Sequence, residues 1–163
     1  MSNHQETRKF IDKMSAMSHA LKLLAKRDYS KAEMIEKLTQ AGFDQSDVED
    51  AVLRLSEYGY LDDEKFTTSF IENRIKQKVV SKQLLEEELR RRKIDENIIK
   101  AAVDHINDEN LLQRAIKNYL RLKGNPKNLK EVKKLYSYLL RHGFSEEMIL
   151  ESFHKFKISI DDA

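Results

Sequence analysis

Apolar residues in this chain recur at steps of three and four, the spacing of one helical face, and no run alternates with a period of two. Phe10, Met14, Met17, Leu21 and Leu24 lie on one such face and predict a first helix, which Asp28-Tyr29-Ser30 breaks. Ser30 followed three residues on by Glu33 is a capping-box signature. Met34, Ile35, Leu38 and Ala41 then form the face of a second helix. Gly42 ends it in a left-handed cap that a Cβ would penalise. Asp44 or Ser46 caps a third helix with the face Val48, Ala51, Val52, Leu55 and Tyr58, which Gly59 ends.

The pattern repeats. A slide of 51 residues puts Ser30 on Ser81, Leu38 on Leu89, Asp44 on Asp95, Ala51 on Ala102 and Val52 on Val103. A further slide of 50 puts Gly42 on Gly143, Phe43 on Phe144 and Leu38 on Leu139. In the second unit Phe66, Phe70, Ile71 and Ile75 come first, Ser81 caps Leu84, Leu85 and Leu89, and Asp95 caps Ile98, Ile99, Ala102, Val103 and Ile106. Lys93 stands where Gly42 stands, so that turn closes without glycine. Three units follow, 14–62, 63–109 and 110–157, with an extension 1–13 before them and a tail 158–163 after. The predicted fold class is all-α: three tandem three-helix repeats in an elongated, curved array. One unit of about 50 residues would be marginal alone, and stacking covers the faces each leaves bare.

Composition narrows the chemistry. The 163 residues include no Cys, so disulfides, thiolate nucleophiles and sulfur-ligated zinc are excluded. The four glycines lie too far apart for a dinucleotide fingerprint or a P-loop. None of the five histidines (His4, His19, His105, His142, His154) forms HExxH or an i, i+4 pair. Asp62-Asp63 reads as the cap and first turn of a helix rather than a calcium loop, which needs further oxygen ligands and a central glycine. The expectation is a non-enzyme without metal or cofactor. No apolar run reaches 18 residues and the N-terminus lacks a signal core, so a soluble cytoplasmic protein is expected.

Charge divides the chain. Residues 30–64 carry three basic against ten acidic side chains, and residues 110–163 carry eleven against six. This asymmetry reads either as orientation on a charged partner or as scatter on a solvated surface. Within 86–93, Glu86–Arg90, Glu87–Arg91 and Glu88–Arg92 are i, i+4 pairs in the favourable order, each worth roughly 0.2–0.5 kcal/mol. Two readings stand: the run stabilises its own helix, or Arg90, Arg91, Arg92 and Lys93 meet a partner's carboxylates.

The third unit separates its faces more cleanly. At about 100° per residue, Arg114, Lys117 and Arg121 share one side of a helix. Leu111, Ala115, Ile116, Tyr119, Leu120 and Leu122 share the other. The next helix sets Lys130, Lys133 and Lys134 beside Leu129, Val132, Leu135, Tyr136 and Leu139, with Lys123 and Lys127 in the turn. Glu131 is the only acid between Arg114 and Arg141. A solvated lysine face and a surface for phosphates or acidic protein both fit this pattern. Tyr119, Tyr136 and Tyr138 could stack on bases, although the spacing of the first two suits a core. A groove-reading helix-turn-helix is rejected, because the would-be recognition helices carry Asp44, Asp47, Glu49 and Asp50, or Glu146, Glu147 and Glu151.

The segment 20–34, Ala-Leu-Lys-Leu-Leu-Ala-Lys-Arg-Asp-Tyr-Ser-Lys-Ala-Glu-Met, is followed by Gly42-Phe43 and by 58–66, Tyr-Gly-Tyr-Leu-Asp-Asp-Glu-Lys-Phe. This order resembles the RecX family of bacterial regulators over about residues 18–75. The chain departs from the family's usual glycines at Lys78-Val79-Val80-Ser81 and at Lys93-Ile94. The resemblance implies a protein that binds RecA in the groove of the RecA–DNA filament, most often inhibiting recombinase, ATPase and co-protease activity. It implies RecA and its filament as partners, with weak single- or double-stranded DNA binding. No membrane partner is expected from the hydropathy, and a repeat array of this size is expected to be a monomer. The alternatives are a helical protein that acts directly on DNA and a helical-repeat scaffold for another protein. The motif residues Arg27, Tyr29, Ser30, Gly42, Phe43, Gly59, Tyr60, Leu61, Asp62, Asp63 and Phe66 are expected to be mainly structural. Partner contacts are expected from Arg90–Lys93 and from the cations of the third unit.

Overall fold

The computed structural model describes residues 15–158, so the extension 1–13, Phe10 and Met14 of the first predicted face, and the tail beyond Ile158 lie outside the described residues. Among the described residues there are nine helices and no strand: α1 (Ala16–Leu24), α2 (Lys31–Gln40), α3 (Gln45–Glu57), α4 (Asp63–Gln77), α5 (Lys82–Arg91), α6 (Glu96–Val103), α7 (Asp108–Lys123), α8 (Leu129–Arg141) and α9 (Glu146–Lys155). None is long and apolar enough to cross a membrane.

The helix starts follow from short polar side chains. Ser30, Ser81 and Ser145 each accept the N–H three residues on, as do Asp62, Asn107 and Asn128. Each such cap is worth about 1 kcal/mol. Asp44 takes the cap position of α3 without a side-chain bond. The helices then pack within triplets, α1 and α2 on α3, α4 and α5 on α6, and α7, α8 and α9 on one another. Each triplet encloses its own core: Met34, Leu38, Val48, Ala51 and Leu55 in the first, Leu85, Leu89, Ile99 and Val103 in the second, and Leu112, Ile116, Leu135, Leu139, Ile149 and Phe153 in the third. The architecture is tandem three-helix domains.

Four faces differ from their sequence patterns. On α1 the buried residues are Ala16 and Ala20, whose small side chains let the neighbouring helices approach, and Leu21 turns outward. Ile35 is exposed on α2. Tyr58 is exposed because it caps α3 beyond its last packed turn, and Leu122 because it sits at the rim of the apolar arc in the last turn of α7. The i, i+4 ladder on α5 also forms only in part. Glu86 meets Arg90 at 3.4 Å, but Glu88 pairs with Arg74, Arg92 pairs with Glu33, and Arg91 donates to the Glu87 carbonyl. Tertiary partners offering two hydrogen bonds outcompete the local ones.

Between triplets the contacts gather at helix ends, in two joints built on one plan. In each, the N–H of the first residue of a middle helix donates to the first aspartate of the next triplet: Lys31 to Asp63 at 2.9 Å, Lys82 to Asp108 at 2.7 Å. In each, the serine before it binds the carbonyl that ends the next triplet's middle helix. The two joints differ in which atom of that serine does so. Ser30 donates from its hydroxyl to the Arg92 carbonyl at 2.8 Å, whereas Ser81 donates from its main-chain N–H to the His142 carbonyl at 2.9 Å. A Cβ on Gly143 would stand 2.3 Å from the Ser81 hydroxyl, while nothing lies within 4 Å of one on Gly42. Val79 and Val80, at the departure from the family pattern, split across this second joint, Val79 in the third core and Val80 in the second.

At the first joint the equivalent turn carries Lys93 at φ +58°, a left-handed conformation that a side chain resists by about 1 kcal/mol or more. Lys93→Gly is therefore expected to raise stability by about 1 kcal/mol, seen as a higher urea midpoint at unchanged slope. Its contact with Glu36 is half exposed at both ends and screened, so its loss does not reverse the gain.

Candidate functional site

The structure sorts the twelve candidate cations into two classes. Arg90, Arg92 and Lys93 are engaged internally. Arg90 meets Glu96 at 2.7 Å, Arg92 meets Glu33 at 2.5 Å, and Lys93 meets Glu36. These cations hold the Glu96 and Glu36 carboxyls below the usual carboxylate range, chiefly by hydrogen bonding. Arg92 also lies 4.9 Å from the centre of the Phe66 ring. The motif residues surround the same place. Arg27 covers the Tyr29 ring at 3.9 Å and reaches Glu33 at 3.2 Å; Leu61 is buried in the first core and Phe66 in the second. Glu33 therefore serves the joint, and its side chain does not complete the capping box. Gly42 and Gly59 take positive φ, and Phe43 packs edge-on against His19. Tyr60 is the one large apolar residue of the motif that is strongly exposed, beside the exposed Arg27, Gly42, Gly59 and Asp62.

The other nine, Arg91, Arg114, Lys117, Arg121, Lys123, Lys127, Lys130, Lys133 and Lys134, form no ion pair among the described residues, and eight of them lie in the third triplet. The structure divides these eight. Arg114, Lys117 and Arg121 form an exposed stripe on α7, on roughly the opposite side from Tyr119 and Lys123 at about 100° per residue. Lys127 borders a small hollow of about 250 Å³ with Pro126, Leu129 and Phe156. Lys123, Lys130, Lys133 and Lys134 line a groove of about 840 Å³ between α7 and α8, together with Tyr119, Leu129, Ser137, Tyr138 and Arg141. No carboxylate lines it.

Arg141 is not among the sequence candidates, and its place seven residues, two helical turns, beyond Lys134 on the same face is the signal that points to it. Tyr119 was assigned to the core by spacing. It does pack on the core, and its other side borders the groove. Tyr119, Tyr138 and His142 meet in series as tilted rings, with centres 5.0 and 4.0 Å apart and planes inclined by 55° and 30°. The row runs from the groove to the second joint. Burial pushes the Tyr138 phenol up, so it stays a neutral donor.

His142 is buried at that joint and donates from Nδ1 to the Tyr138 carbonyl at 2.5 Å. Burial first, and then the charges of Lys78, Arg74 and Arg141, lower its pKa, against the Tyr138 carbonyl, which raises it. The folded state thus resists a proton that the unfolded state accepts near pH 6.5. Stability from this group is whole above that pH and is lost as pH falls through it toward the folded value. The melting temperature is expected to drop between about pH 7.5 and 5.5, and to drop less in His142→Gln.

Comparison with known proteins follows the same division. A family model described as the first three-helix domain of RecX matches residues 16–55, and one described as the second matches residues 62–103. Regulatory protein RecX of Chlorobium phaeobacteroides is 32% identical over 142 residues, covering 86% of this chain and 93% of that protein. This chain belongs to the RecX family. The RecX of Chlorobaculum tepidum is 33% identical over 141 residues, 86% of this chain and 87% of its own. The crystal structure of RecX from Lactobacillus salivarius superposes with a TM-score of 0.69 at 18% identity, covering 91% of this chain and 97% of that one, which is agreement in fold. The RecX domain models end at residue 103, before the α7–α8 groove begins.

Proposed function

We propose that this RecX-family chain is a non-enzymatic regulator of RecA. It binds the RecA–DNA filament as a monomer in the cytoplasm and lowers recombinase, ATPase and co-protease activity. Membership of the family carries the reading. What supports it in the chain is the sorting of cations: three are used inside the fold, and eight of the nine left over gather on one triplet while the first triplet is acidic. Such a chain presents opposite charges at its two ends, so it would settle on a filament in one orientation. The units 14–62, 63–109 and 110–157 act here as successive contact surfaces. The joints fix their spacing.

The test is RecA's hydrolysis of ATP on single-stranded DNA as this protein is titrated in. Inhibition is expected at concentrations well below those that coat the DNA alone. The triple variant Arg121→Glu, Lys133→Glu, Lys134→Glu is expected to need at least tenfold more protein, since each reversed charge costs steering and contact with the filament, with helicity by circular dichroism unchanged. Inhibition that appears only once naked DNA is saturated, or a triple variant as potent as the parent, would overturn the reading.

A further inference from the structure

We propose that the outer face of α3 docks into the α7–α8 groove of a second copy of this chain, a head-to-tail contact that lines copies up in a row. It goes beyond the filament reading, which holds whether or not neighbouring copies touch. The Arg114, Lys117 and Arg121 stripe on the far side of α7 stays open to the filament.

The α3 face carries an apolar anchor out of place. Leu53 is 59% exposed in the middle of the helix, on the side away from the buried Val48, Ala51 and Leu55. At about 100° per residue, Glu49, Asp50 and Glu57 all fall within about 60° of it. Glu49 accepts from the Gln45 amide at 2.9 Å, and neither Glu49 nor Glu57 forms an ion pair among the described residues. The Asp50–Arg54 pair is 60% exposed at both ends, so it is screened and readily exchanged. The complement of such a leucine is an apolar pocket with a cationic rim.

The same chain supplies that complement. Tyr119, Leu129 and Tyr138 give the groove an apolar floor, and Lys123, Lys130, Lys133, Lys134 and Arg141 give it a cationic rim. Tyr119 and Tyr138 also pack on the third core, so the floor is set before anything docks. The lengths agree. Glu49 and Glu57 lie about 12 Å apart along α3, and Lys130 and Arg141 about 16 Å apart along α8, at about 1.5 Å per residue. An apolar anchor seated in a groove is a recurring way for a helix to be recognised. The opposed charges set its partner and register.

The contact joins unlike surfaces. Two α3 faces would set carboxylate against carboxylate, and two grooves would set lysine against lysine. Within one chain the two surfaces belong to triplets that the second triplet separates. Each copy therefore keeps a free groove at one end of a pair and a free α3 face at the other, and such a contact propagates instead of closing. One helix face is small, and interfaces under about 1,200 Å² are weak. The chain is then a monomer when dilute and pairs where copies crowd, as neighbours on one filament would.

The protein has no cysteine, so introduced thiols report cleanly. Ser46→Cys, on the Leu53 face, and Ser137→Cys, in the groove, are made in separate full-length chains with tags of different size. The two are mixed without RecA at high concentration and low salt and treated with a short bis-maleimide. The mixed product is expected to exceed either same-site product about tenfold and to fade by about 300 mM salt. Arg114→Cys, on the far side of α7, should give only background with Ser46→Cys. Adding Leu53→Gln to the Ser46→Cys chain should cut the mixed product with every charge intact. Adding Glu49→Lys and Glu57→Lys there should cut it about tenfold, and Lys130→Glu with Lys134→Glu in the groove chain should then restore it. Melting curves check each fold. The proposal is overturned by a mixed product no greater than the Arg114→Cys background, which would leave the α3 face to a partner other than this chain. Same-site products as abundant as the mixed one, or a charge swap that restores nothing, would overturn it too. A missing cross-link beside intact ATPase inhibition removes this contact alone, and a cross-link beside absent inhibition removes the filament reading alone.

Discussion

Gly143→Ala is expected to cost the fold about 3 kcal/mol, a fall in melting temperature of roughly 6–12 °C for a chain of this size. Two terms add. At φ +90° an alanine meets the left-handed penalty of about 1–2 kcal/mol. Its Cβ would also stand 2.3 Å from the Ser81 hydroxyl, 3.1 Å from the Leu84 Cβ and 3.2 Å from the Ser81 Cβ, an overpacking that costs typically 1–3 kcal/mol. Gly42→Ala shares the first term, at φ +93°, and has open space where the second would act. It should lose only about 1–2 kcal/mol. Urea titration of both variants separates the terms. If the clash is real, Gly143→Ala should also be less harmful in a Ser81→Ala background, by about 1 kcal/mol of coupling. Equal losses at the two glycines would mean that the second joint gives way freely.

Glu33→Ala should cost about 2 kcal/mol, because charge-assisted bonds are the stronger kind and a cation left behind keeps its desolvation cost. Glu33 is 11% exposed and receives Arg92 at 2.5 and 3.4 Å and Arg27 at 3.2 Å, from both sides of the first joint. Arg92 is itself only 30% exposed and cannot turn fully to water. Asp50→Ala is the comparison, since the Asp50–Arg54 pair is 60% exposed at both ends and should cost under about 0.5 kcal/mol. Chemical denaturation at low salt reads both. A Glu33→Ala loss no greater than that of Asp50→Ala would show that the joint gains nothing from its charges.

Much of the fold is legible because it is local. The helical faces, the serine caps and Gly42 depend on residues within four positions of each other, and the 51-residue slide carried the turn at Gly42 onto Lys93. The joints were not legible. Asp63 accepts the N–H of Lys31 across 32 residues, and no spacing rule announces such a bond. The same limit explains Glu33 and Glu88. A local rule assigned each a nearby partner, and a distant arginine with a planar fork took it instead. In the candidate groove the lysines stood out as a run without acids, whereas Tyr119 was read as core because the pattern counts a residue as inside or outside and a ring can be both.

The two joints differ in how they would answer to load. Two ion pairs cross the first, Arg92–Glu33 and Lys93–Glu36, while among the described residues the second is crossed by none and is held by the Ser81 main-chain bond, the Lys82 N–H on the Asp108 carboxylate, and Val79. Mobile ions weaken the half-exposed Lys93–Glu36 pair, act less on the shielded Arg92–Glu33 pair, and leave the second joint nearly untouched. The molecule is then a lever with one compliant elbow and one stiff one. Salt therefore loosens the first joint more than the second, although the Lys31 and Ser30 hydrogen bonds still hold it.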